Sequence, residues 1–299
     1  MPLWVACLPA SAAAEACADT KAESSASGSE KQPLSEKVAN VTCAIKHVFQ
    51  SRVRYRKTAE PVEMTVGSPP MISDDTGTPG DRKLEINLIA QGDFAGKTHR
   101  IEAPLLDMNY GIGELVQLKL EIPYVHLASQ DADAADPQSA MRAHGVGDST
   151  FGVKYRFYDD KDNGLSFALY PQVRFRTPGA NRAVSEQKTV VILPLIMTRE
   201  FEKASITLNA GLEHGDNSRV FASFGAGTRL TDQLALFGEI AGTNLNARDE
   251  RQILLNVGVK QKLSETRSIA ASIGHDIHAG GDQPLHRYFL VSFQQLFGD

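Results

Sequence analysis

Histidine beside carboxylate and hydroxyl groups is the first chemistry this chain offers, and it occurs twice. His275, Asp276 and His278 follow Ser272 closely, and His214 lies two residues from Asp216. A hydrolase would use such groups as nucleophile, base and the carboxylate that orients the base. The spacing argues against this. His275 and His278 are three apart, so an extended chain sends them to opposite faces, where they cannot share a metal. No GxSxG, HExxH or glycine-rich phosphate loop accompanies them. Loop and rim histidines are the expected reading, and no catalytic residue, metal ligand or cofactor is assigned.

The carboxylates raise two further questions. Asp74, Asp75 and Asp81 lie in ISDDTGTPGD (72–81), but their spacing is not that of an EF-hand loop. A structured turn leading into the first strand is expected there. Asp131, Asp133 and Asp136 could hold divalent ions that bridge lipopolysaccharide, with a solvated acidic loop as the simpler alternative. Cys7, Cys17 and Cys43 form neither a disulfide framework nor a metal pattern, and no lipoprotein box precedes Cys7 or Cys17.

The elements that carry charge explain more. In RQILLNVGVKQKL (251–263), Ile253, Leu255, Val257, Val259, Gln261 and Leu263 share one parity, and Gln252, Leu254, Asn256, Gly258, Lys260 and Lys262 the other. Successive side chains of a strand point to opposite faces, so one face is mostly apolar and the other mostly polar. The pattern recurs in about twelve segments, from residues 83–91 to residues 287–297. Short connections at 111–114, 159–164, 201–203, 231–232 and 264–266 alternate with mostly longer ones at 92–97, 126–147, 178–188, 215–218, 244–250 and 278–286. Strands of about ten residues match the tilted span of a bilayer, whereas soluble sandwiches favour about five or six. Short periplasmic turns alternating with longer outer loops, and an even strand count, describe an outer-membrane β-barrel.

The expected fold is therefore all-β: an antiparallel transmembrane barrel over residues 83–299. Pro104, Pro123, Pro171 and Pro194 each remove a ladder hydrogen bond, and bulges or strand ends should accommodate them. The polar parity would line the lumen. There Lys119, Glu121, Lys154, Arg156, Arg174, Arg176, Glu213, Glu239 and Lys260 are the candidates for setting selectivity or closing the pore through salt bridges.

Bulk properties agree. The 299 residues carry a net charge of -5, with a pI near 5.9, and no basic cluster favours nucleic acid. A hydrophobic fraction of 42% and a mean hydropathy of -0.24 are what alternation produces. No stretch approaches the roughly 20 apolar residues of a spanning helix. Residues 1–16 look like the end of a secretory signal, with A-x-A options but without a basic start. Residues 17–82 read as a disordered, partly helical extension and linker. Within it, Leu34, Val38, Val41, Ile45, Val48 and Phe49 recur at helical spacing.

Several motifs appear in order: SDDTGTPG (73–80), APLLDMNYGIGE (103–114), LKLEIPY (118–124), GVGDSTFGVKYRF (145–157), YPQ (170–172) and LPL (193–195). They resemble the Gram-negative outer-membrane proteins labelled transporter, or meta-pathway of phenol degradation, from about Ile72 to the C-terminus. That resemblance implies passage of small aromatic or other hydrophobic molecules by passive or facilitated diffusion, and it brings no catalytic residues. A non-conducting structural barrel and an outer-membrane lipid hydrolase are the alternatives. The expected partners are outer-membrane lipid and lipopolysaccharide, a small-molecule solute and the barrel-assembly machinery. The last of these is suggested by the C-terminal strand with Phe289, Val291, Phe293 and Phe297 on one parity.

Overall fold

Alternation builds the wall one strand at a time. In β12 (Gln252–Ser264), Leu255, Val257 and Val259 are 48%, 50% and 40% exposed, while Asn256 and Lys260 on the opposite parity are 0% and 7% exposed. Apolar side chains thus point outward and polar ones are buried, the inverse of a water-soluble fold and the arrangement lipid demands. The same holds elsewhere: Leu88, Leu195, Leu208, Phe224, Ile240 and Ile273 are exposed, while Asn87, Asp107, Thr207 and Glu239 are buried.

The computed structural model describes residue 67 and residues 70–129 and 141–298. The strands are β1 (Leu84–Ala95), β2 (Thr98–Ile112), β3 (Val116–Ser129), β4 (Met141–Val146), β5 (Asp148–Asp160), β6 (Leu165–Leu169), β7 (Gln172–Arg176), β8 (Val190–Glu200), β9 (Ala204–His214), β10 (Ser218–Arg229), β11 (Leu234–Thr243), β12, β13 (Arg267–Ala279) and β14 (His286–Phe297). Each pairs antiparallel with its neighbours. β1 zips onto β14 from Leu84↔Phe297 to Ala95↔His286 and closes the sheet, which leaves only the short β4 with a partner on one side. β4 and β5 both lie along β3, and β6 and β7 both lie between β5 and β8. Each of these two pairs is one interrupted stave, which makes twelve staves in a closed antiparallel barrel.

The prolines sit where the ladder yields. Pro104 falls in the register shift of β2 against β3 between Glu102 and Leu105. Pro171 separates β6 from β7, and Val153 N–H and Tyr170 N–H bond the Pro171 and Pro194 carbonyls across that break. Pro123 faces the gap between β4 and β5, where its carbonyl accepts Gly147 N–H. Strand ends differ from the sequence reading mainly at the longer connections. β1 runs on to Ala95, β3 to Ser129, and β4 recovers residues 141–146 from the span read as a loop over 126–147. The barrel hydrogen-bond ladder, not local alternation, extends these ends. The signal-like residues 1–16, the amphipathic stretch over 34–49, and Asp131, Asp133 and Asp136 lie outside the described residues.

Candidate functional site: the occupied lumen

The lumen holds a length of the chain itself. Residues 70–81 run along the inner wall from β13 round to β5 before the chain enters β1. Ser272 Oγ donates to the Pro70 carbonyl at 2.8 Å. Met71 is 1% exposed and packs against Ala235 and Phe237. It can lie there because the wall residue beside it is Gly258, whose missing Cβ would come 2.7 Å from Met71 Cε. Glu239 then takes the next two residues: its Oε2 accepts Ile72 N–H at 2.9 Å, and its Oε1 accepts Ser73 N–H at 2.6 Å together with the Ser73 hydroxyl. Ser73 Oγ also lies 2.6 Å from Ser223 Oγ on β10.

The segment continues from hydroxyl to hydroxyl. Asn209 on β9 brackets Asp74, accepting its N–H at 3.1 Å and donating to its carbonyl at 2.7 Å. Thr76 donates its N–H to Thr198 Oγ1 at 3.1 Å and lies 2.5 Å from Ser166 Oγ. Lys154 on β5 reaches Asp74 at 3.7 Å, Asp75 at 3.9 Å and the Gly77 carbonyl at 3.2 Å. Past Lys154 the segment meets the β2–β3 turn. Thr78 Oγ1 donates to the Glu114 carbonyl, and Asp81 accepts Gly113 N–H at 2.9 Å. Gly111 has no Cβ, which allows the Gly80 carbonyl to pass over it. A buried backbone needs partners for its polar groups, and here the barrel wall supplies them.

Wall side chains fill the side that the segment leaves open. Lys119 pairs with Glu121 at 2.8 Å and Asp107 at 3.8 Å. Asn87 and Asn109 both donate to Asp107 at 3.1 Å, and Gln117 joins Asn109 to the buried Tyr170. Lys154 Nζ sits 4.8 Å from the Tyr170 ring centroid, a cation–π contact that ties this cluster to the segment.

Above the segment, toward the longer loops, a cavity of about 320 Å³ remains. Its floor is Ile72, and its wall carries Leu254, Ala241 and Tyr288 among polar groups. Those polar groups are mutually paired: Arg100 with Glu102 at 3.0 Å, His286 with Asp93 at 2.7 Å, and Tyr288 OH donating to Gln91 at 3.0 Å. An apolar floor with a ring and a rim of donors and acceptors suits a small molecule with one aromatic face and one polar end.

All nine charged residues singled out from sequence lie on the inward parity, but they do not form one ring. Lys154 and Glu239 hold the segment, and Lys119 and Glu121 belong to the cluster opposite. Arg156 pairs with Asp159 at 3.7 Å and donates to the Glu114 carbonyl at 2.7 Å, bracing the short-turn end. Arg174 lies 3.8 Å from Glu213, which also meets Arg219 at 3.3 Å, and Arg176 donates to the Ala180 carbonyl at 3.2 Å near the long loops. Lys260 is buried on β12, 7% exposed. The hydrolase candidates are scattered. Ser272 is inward and bonded to Pro70, His275 is outward, His214 bonds Ser218 at 2.8 Å, and Asp216 pairs with Lys188. Sequence reasoning missed Ser73, Asp74 and Thr76 as lumen residues, and it missed the cavity group of Arg100, His286 and Tyr288. The one local signal for the former was a run of hydroxyl and carboxylate residues, without alternation, directly before the first strand.

A closed antiparallel barrel of twelve staves, apolar outside and polar within, defines an outer-membrane β-barrel. Solved structures share the fold. An outer membrane channel from Pseudomonas putida F1 superposes with a TM-score of 0.60 at 12% identity, covering 76% of this chain and 100% of that one. The KdgM porin in complex with disordered oligogalacturonate gives 0.51 at 10% identity over 72% and 99%, and the NanC porin 0.50 at 5% over 70% and 98%. Among curated proteins none matches the sequence. The sequence profile of the family described as "Putative MetA-pathway of phenol degradation" matches residues 73–282, and the chain belongs to that family. The match begins at Ser73, so it takes in the luminal segment from residue 73 onward.

Proposed function

We propose that the protein lets small aromatic or hydrophobic molecules cross the outer membrane by diffusion, through a lumen that its own residues 70–81 keep closed at rest. The observation that carries this is the cavity above Ile72. It is open to the long-loop side, bounded below by a segment held through hydrogen bonds and ion pairs, and large enough for a single substituted ring. The family description supplies the aromatic substrate class, and the similar channels and porins supply the precedent for passage. Lys154 and Glu239 act as the latches. Lys119, Glu121, Arg156, Arg174, Arg176, Glu213 and Lys260 set the charge that a solute meets after the segment shifts.

The role is passage rather than hydrolysis, because nucleophile, base and carboxylate are dispersed over both faces of the wall. Residues 83–299 act as one barrel domain, preceded by a targeting segment and an extension. The aromatic C-terminal strand β14 would present itself to the barrel-assembly machinery, and the outer rim would meet lipopolysaccharide. A non-conducting structural barrel is the second reading, favoured by how fully the lumen is occupied.

Single-channel recording of the refolded full chain in planar bilayers separates the two. Small currents that phenol blocks, with Tyr288→Ala raising the blocking concentration at least tenfold, support the proposal. Silence in the native protein and in latch variants alike supports the structural barrel.

A further inference from the structure

The outward face holds a feature that solute passage does not use. The register of β13, β14, β1, β2, β3 and β4 aligns His275, Arg287, Phe94, His99, Ala128 and Arg142 in one row near the long-loop end. The adjoining row is Ile273, Phe289, Gly92, Ile101, His126 and His144. His99, His126, Arg142, His144, His275 and Arg287 are all exposed, and neither row contains a carboxylate.

Followed the other way from His275, the first row passes through Leu255, Ile240, Phe224, Leu208 and Met197, all apolar. Strands of a barrel are tilted, so a row along the hydrogen-bond direction changes depth as it goes round. The switch from apolar to basic marks where this row leaves the hydrocarbon zone. Aromatic rings are interleaved with the bases there, as in the interfacial girdles of membrane barrels. Phe94 lies 5.2 Å from His99 and 5.8 Å from Phe289, and Tyr124 lies 5.2 Å from His126.

From this patch we infer that the β13–β14–β1–β2–β3–β4 face binds the phosphorylated glycolipid headgroup of the outer leaflet. Arg142 and Arg287 offer forked donors that match phosphate oxygens, the histidines add further donors, and the rings pack against sugar and acyl carbons. The patch is cationic and the headgroup anionic. The inference needs the wall to span the outer membrane, and it is independent of whether the lumen conducts.

The test uses the refolded full chain in detergent and bisphosphorylated lipid A, with the same lipid stripped of its phosphates as the comparison. Native mass spectrometry should show at least tenfold tighter binding of the phosphorylated lipid. That margin should be lost in R142Q/R287Q protein that still shows the faster unheated gel migration of a folded barrel. Equal binding of the two lipids, or an intact margin in the folded variant, overturns the inference. If the variant does not fold, the native protein decides: a margin that high salt abolishes supports the patch, and one that salt leaves unchanged overturns it. Binding that EDTA abolishes places the contact on bridging cations and also overturns it.

Discussion

Glu239 makes three hydrogen bonds to the luminal segment. It accepts from two successive backbone N–H groups and a hydroxyl of residues 72 and 73, and Asn256 supports it from β12 at 3.4 Å. Hydrogen bonds to a charged acceptor contribute roughly 1.5–3 kcal/mol each when buried. Glu239→Gln keeps the shape and removes the charge. It should lower unfolding stability by about 2 kcal/mol in denaturant titration, and lengthen the open events in single-channel records. Lys154→Met should act in the same direction, since it leaves Asp74 and Asp75 without their shared cation; a record indistinguishable from the native one would count against both latches. At this scale the sequence was half legible. Alternation alone placed Glu239 and Lys154 on the inward face. What they hold lies 166 and about 80 residues away, and no local pattern can announce a partner at that separation.

The elements were the most legible part, because a wall wetted by lipid on one side and polar matter on the other enforces a period of two. β9 occupies residues 204–214 as its alternation predicts, and β12 begins and ends one residue later than the expected 251–263. β4 lies within the connection expected over 126–147; it is a strand because β3 offers it partners from Tyr124 to Ser129. The segment of residues 70–81 could be seen as structured but not as internal, since nothing in a run of hydroxyls and carboxylates tells a turn from a plug. The wall itself makes a sharp prediction. Val257→Arg, at mid-strand on the outward face, should cost about 2–4 kcal/mol in refolding into lipid. By contrast, Asn256→Ser, its inward neighbour, should refold into lipid normally and loosen only the support of Glu239. Titration of folded fraction by unheated gel migration reads both.

At the largest scale the described residues form a barrel wall with a luminal segment inside it, and the wall has a direction. Turns at 113–115, 161–164, 201–203, 230–233 and 265–266 define one end, and the mostly longer connections define the other. In whole cells of a cysteine-free background, a membrane-impermeant maleimide should label D282C, in the β13–β14 loop, and leave D232C unlabelled in the opposite turn. The reverse pattern would invert the proposed orientation.

The central claim is that solutes pass only when residues 70–81 move, and one recording tests it most directly. In the same cysteine-free background, S73C/S223C places two thiols where the native hydroxyl oxygens lie 2.6 Å apart. Recorded in planar bilayers without phenol, the oxidised protein should carry no current, and reductant should restore that of the unmodified barrel. Equal currents before and after reduction, with the crosslink verified by mass, would contradict a closure that must shift for passage.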